Sequence, residues 1–160
     1  MCLGNLRYLV VAACLAVLAC ETPSRDTKFG ASNSVGLYLE GVKPLLQDLR
    51  VLDRQIEDAI PADSVDSHII VPLIEERFRP QLTQLHGRAQ QLPTTAKLLP
   101  TNRKLLAYLD LRIKAYDLVL EGARENRPEL FTSFYHKQIE ADSAARVFET
   151  SLRQVQDSLH

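Results

Sequence analysis

Four apolar stripes, each stepping by three and four residues in alternation, run through residues 34–160 and constrain the fold more than any other feature. The first carries Val35, Tyr38, Val42, Leu45, Leu49, Leu52, Ile56 and Ala59. The second carries Val71, Ile74, Phe78, Leu82, Leu85, Ala89 and Leu92. In the third, Leu99, Asn102, Leu106, Leu109, Ile113, Tyr116, Leu120 and Ala123 recur. The fourth runs from Phe131 and Phe134 through Gln138, Ala141, Ala145, Phe148, Leu152 and Val155 to Leu159. Spacing of this kind places every member on one side of a helix, and the period-two alternation of a half-buried strand is missing. Each stripe covers about 25 residues, or roughly 40 Å of helix. The expected class is all-α.

The breaks between stripes follow helix-ending chemistry. Ile60-Pro61-Ala62-Asp63 stops the first helix and offers Asp63 or Ser64 as the next N-cap. Pro93-Thr94-Thr95 and Pro100-Thr101 divide the second from the third. Asn126-Arg127-Pro128-Glu129 has an Asn cap, a first-turn Pro and a Glu three residues on, the order of a capping box. Connections this short turn neighbouring helices antiparallel, so the expected architecture is an antiparallel up-down-up-down four-helix bundle over residues 34–160. Leu46, Leu105, Leu130, Ile139 and Val147 widen the stripes beyond a coiled-coil seam, which favours a monomeric bundle over a long coiled coil. Asp110/Lys114, Asp142/Arg146 and Glu149/Arg153 are acid-first i,i+4 pairs on the flanks, where they mark a solvated face.

Ahead of the bundle the composition changes. Residues 1–19 hold one charge, Arg7, followed by the unbroken apolar run Tyr8 to Ala19. A positive start, a short apolar stretch and small residues at its end describe a secretory signal peptide, and twelve apolar residues fall short of the roughly 20 that span a bilayer. The run closes on Val17-Leu18-Ala19-Cys20. This ending resembles the lipobox of bacterial lipoproteins, although Leu18 is a less usual residue at its position. The resemblance, confined to the leader, implies cleavage after Ala19 and lipidation of Cys20, with a diacylglycerol on the sulfur and an acyl chain such as palmitate on the new amine. Val11-Ala12-Ala13-Cys14 fits the short pattern too but leaves only Tyr8 to Val10 as an apolar region. Two or more acyl chains give the double anchoring that one chain cannot. Residues 20–33 then comprise the lipidated cysteine and a polar tether, ETPSRDTKFGASN, rich in Pro, Ser, Thr and Gly. The expected address is the bacterial cell envelope, lipid-anchored, on the outer membrane facing the periplasm.

Composition narrows the chemistry. With 19 Lys+Arg against 20 Asp+Glu, and no basic run, the chain lacks the clustered positive footprint of a nucleic-acid binder. All three cysteines (Cys2, Cys14, Cys20) lie in the leader or at its edge, which excludes disulfides and thiolate chemistry from residues 21–160. None of His68, His86, His136 and His160 has a Glu three residues before it, as carboxylate-bridged metal bundles require. Cys-x-x-Cys-His, Gly-x-Ser-x-Gly, His-Glu-x-x-His and phosphate-binding Gly-rich loops do not occur. No catalytic residue, cofactor or metal is therefore expected.

Two candidate surfaces remain. Tyr108 and Tyr135 lie off the main stripes and are expected to be exposed for contact with another protein. Pro44 and Pro80 interrupt the first and second helices at one level of an antiparallel pair, where outward bowing would open a ligand pocket lined by Leu45, Phe78, Leu82, Leu106 and Phe148. The alternatives are that these side chains fill the space, or that the first helix begins near Gly41 and holds Pro44 in its first turn. In size and helix count the domain also resembles bacterial periplasmic sensory bundles, which usually sit between two membrane spans. The expected function is a membrane-anchored helical protein-interaction module, the alternative a small-molecule-binding or sensory four-helix bundle.

Overall fold

The computed structural model describes residues 27–59 and 67–158. The segment expected to be a leader, the expected lipidation site Cys20, residues 21–26 of the expected tether, the expected caps Asp63 and Ser64, and Leu159 and His160 lie outside the described residues. The described residues form an all-α fold of four helical rods. The first is α1 (Thr27–Ala59). The second is continuous but composite: α2 (Ser67–Leu73), a π-helical turn (Ile74–Phe78) and α3 (Arg79–Gln90). The third and fourth are α4 (Leu99–Glu125) and α5 (Glu129–Asp157).

Cross-helix pairs fix the direction of each rod. Between α3 and α4, Arg79 pairs with Asp117 at 2.5 Å, His86 with Asp110 at 3.2 Å, and the Asn102 side-chain amide donates to the Ala89 carbonyl at 3.0 Å. Numbers rise along one helix as they fall along the other, so the pair is antiparallel. The same holds for α4 and α5, where Tyr116 stacks on Phe134 at 6.3 Å and the Thr101 and Ser151 hydroxyls share a buried 2.8 Å hydrogen bond. Gly41 of α1 faces Leu92, while Asp48 meets Arg88 at 2.5 Å. The exposed ion pairs report register and add little stability. One contiguous core joins all the rods, with Tyr38, Phe78, Leu82, Leu105 and Leu109 fully enclosed.

Several local expectations change. The helix begins at Thr27, so the second half of the segment read as a tether is helical, and Pro44 lies well inside α1. Extending a packed helix costs far less than nucleating one, which lets α1 run on past its apolar stripe. Pro80 does not break its rod. The Arg79 N–H bonds back to the Ile74 carbonyl, a five-residue step, so the turn widens just where Pro80 has no N–H to give. Asn126 is a C-cap rather than an N-cap: it ends α4 at φ 53°, ψ 47°, and Pro128 precedes α5 without a side-chain cap. Asn tolerates the left-handed conformation that the three-residue reversal needs. Gly122 allows the close approach at that corner, since a Cβ there would lie 3.1 Å from the Arg127 carbonyl and 3.2 Å from Leu130. Of the i,i+4 partners expected on the flanks, Asp110 instead reaches His86 on the neighbouring rod.

Candidate functional site

The third rod departs most from its expected face. Leu99 is exposed and Leu98 is buried in its place. Along α4, Thr101, Leu105, Tyr108, Arg112, Ala115, Val119 and Gly122 form a second buried seam beside Asn102, Leu109, Tyr116 and Leu120. The helix is covered on two sides, by α3 and by α5, so one stripe could not describe it. This second seam carries the candidate site.

An open groove lies between α1 and α5, with α4 as its floor. At one end Leu46, Leu49 and Arg50 of α1 face Ala145, Phe148 and Leu152 of α5 across an opening of about 350 Å³. At the other, Asp53, Ile56 and Glu57 of α1 face Tyr135, Gln138 and Asp142 of α5 across about 470 Å³. Asp53 and Tyr108 line both, and Arg112 lines the second.

Arg112 is buried, with 9% of its side chain exposed. Its Nη1 donates to Asp53 Oδ1 and, at 3.1 Å, to the Tyr108 hydroxyl, and the guanidinium carbon stands 5.9 Å from the Tyr108 ring centroid. Burial works against the Arg112 charge, but Tyr108 and Asp53 outweigh it and raise its pKa above the ordinary value, so it is a fixed cation. Burial pushes the Tyr108 hydroxyl up, against the lowering effect of Arg112 and with help from Asp53 and Asp142. Tyr116 is raised by burial and lowered by the same guanidinium, which its hydroxyl approaches without closing a well-formed hydrogen bond.

The residues singled out from sequence divide clearly. Tyr135 is 64% exposed on the groove rim, as expected. Tyr108 is not exposed: at 9% it is part of the groove floor, because it belongs to the second seam of α4. Both nevertheless line the same opening. Leu45, Phe78 and Leu82 are enclosed in the core and Leu106 is half-buried, so of the five residues expected to line a pocket only Phe148 faces this groove. Arg112 was not among the candidates. Its signal is the three-four spacing that joins Tyr108 to Ala115, which an apolar stripe does not show because a charged residue interrupts it. His86 is half-buried against Asp110, while His68 and His136 are exposed. Among the described residues, no cluster of three His, Cys, Asp or Glu is placed to hold a metal ion, and no helix is long and apolar enough to cross a membrane.

Fold and site together define a class: an all-α four-rod domain with a polar-floored groove between its first and last helices. Comparison with known proteins adds nothing closer, since no protein-family model, curated protein or solved structure matches the chain.

Proposed function

We propose that the chain is a bacterial envelope lipoprotein, acylated at Cys20, whose helical domain is a protein-interaction module working through the α1–α5 groove. The Val-Leu-Ala-Cys ending of the leader and the cysteine-free sequence after it support the anchor. The observation that carries the interaction reading lies on α5, where Tyr135 stands 64% exposed on the rim of the open groove and Ile139, one turn further along the helix, is 52% exposed. Exposed aromatic and aliphatic side chains around a concavity with a partly apolar lining have the composition of a contact surface.

The test is a photo-crosslinker placed at Tyr135 in membranes and, as a control, at Leu37, which is 49% exposed but lines neither opening. A discrete adduct from position 135 that disappears with Ala145→Glu supports the module. Equal adducts from both positions reject it. Fractionation of Cys20→Ser reports the anchor separately: the variant leaves the membrane or accumulates unprocessed, and full membrane retention after signal cleavage and a salt wash refutes acylation there. The alternative reading, small-molecule binding, is favoured by one observation of its own, the buried cation Arg112 on the groove floor.

A further inference from the structure

Arg112 offers more than its internal partners use. Nη1 alone donates to Asp53 and Tyr108; the Tyr116 hydroxyl approaches the guanidinium without closing a well-formed bond, which leaves Nε and Nη2 without one among the described residues. Those two nitrogens form the edge of the guanidinium that grips a carboxylate with two parallel bonds. The side chain is nine-tenths buried yet lines an opening of about 470 Å³, within the ~300–1,000 Å³ of small-molecule sites. A half-used cation on the floor of a concavity calls for an acceptor from outside.

The walls call for something else. Asp53 is committed to Arg112, but Glu57 of α1 and Asp142 of α5 face the same opening, and among the described residues neither has a cation within ion-pairing distance. Three carboxylates around one guanidinium leave the site negative, so a phosphate or a dicarboxylate would be repelled. A simple cation would satisfy the walls and leave the Arg112 edge empty. A ligand carrying a carboxylate and an ammonium group a few bonds apart satisfies both.

We propose that this end of the groove binds a free α-amino acid, its carboxylate on the Nε and Nη2 edge of Arg112 and its ammonium between Glu57 and Asp142. The Tyr135 ring, exposed on the rim, is placed to cover the ammonium with its π face. Ile56 and the same ring line the way out, so an apolar side chain is accepted. The surplus negative charge also accepts a basic side chain and rejects an acidic one. The inference rests on the reading that the groove is this domain's binding surface, and it assigns that surface a ligand class.

The test is titration calorimetry of the full-length protein with L-leucine, L-lysine and L-glutamate, with L-leucine amide and N-acetyl-L-leucine as single-charge controls. Leucine and lysine bind; the amide and the acetyl derivative are each weaker by about tenfold or more, the cost of losing one charged hydrogen-bonding group, and glutamate is weakened by repulsion from the wall carboxylates. Asp142→Asn, a change to an exposed side chain, lowers leucine affinity by a similar factor, and Arg112→Met abolishes it while the circular dichroism spectrum is retained. Amide or acetyl derivative binding as tightly as leucine overturns the proposal, as does the absence of heat from every compound. Should a position-135 protein adduct form while no amino acid binds, the zwitterion site is rejected and the interaction module stands.

Discussion

Arg112 and Asp53 form an unequal pair, and that inequality predicts how each tolerates removal. Arg112 is 9% exposed at its side chain, Asp53 40%. Deleting Asp53 strands a cation in the core, whereas deleting the guanidinium leaves a carboxylate that water already reaches. Breaking a fully buried pair from one side costs about 3–5 kcal/mol, while apolar replacement of a buried ion is often neutral or stabilising. With one partner half exposed, Asp53→Ala is expected to lose about 2 kcal/mol and Arg112→Met to stay within about 1 kcal/mol of the parent. Urea unfolding measures both, and a larger loss for Arg112→Met would mean that the guanidinium serves the fold. A buried charge the fold does not need is where a functional role is expected, since proteins break local rules mainly at such sites.

Elements differ in how much of their setting a single stripe can express. The stripe of α1 is accurate from Val35 to Leu52, all buried, because that rod turns one face to the core. The composite second rod follows for the same reason from Ile74 to Ala89. Two-sided burial of α4 exceeds what one stripe can express, and it encloses Tyr108 where exposure is expected. Both ends of the α4–α5 turn were legible as a break, but Asn126 fits either a cap of the helix that follows or a left-handed stop for the one before. Sequence order does not separate these; backbone conformation does. At φ 53° Asn126→Gly should be close to neutral, while Asn126→Val should cost about 1–2 kcal/mol, because a branched Cβ crowds the following carbonyl there. Thermal melts of the two variants check this. An equal, large loss for both would show that the Asn side chain, rather than its backbone, holds the turn.

At the scale of the whole molecule, the four-rod, all-α organisation was readable because it depends only on stripes and breaks. The groove was not, since it arises from the separation of the first and last rods, on which no local pattern reports. Neither was the chemistry of the enclosed tyrosines, which depends on what surrounds them from several helices. Tyr38 of α1 is fully buried, its hydroxyl has no hydrogen-bond partner, and burial pushes its pKa from 10.0 up to about 12. Tyr108 and Tyr116 of α4 are raised as well, chiefly by burial. A group whose folded pKa lies above its unfolded value holds its proton longer in the native state. Its contribution is complete below pH 10 and is lost as the pH climbs toward the folded value. For Tyr38 the displacement from 10.0 to about 12 corresponds to a loss of about 3 kcal/mol. The losses for Tyr108 and Tyr116 likewise begin near pH 10, and all three weigh against a total stability of about 5–15 kcal/mol. Cooperative unfolding is therefore expected between pH 10 and 12 at room temperature, followed by far-ultraviolet circular dichroism and tyrosinate absorbance together. Tyr38→Phe, which removes an unsatisfied hydroxyl, should leave stability at pH 7 unchanged or slightly higher and move the alkaline midpoint upward. Tyrosinate absorbance rising fully near pH 10, ahead of any loss of helix, would show that these hydroxyls are open to water and would refute the enclosed core.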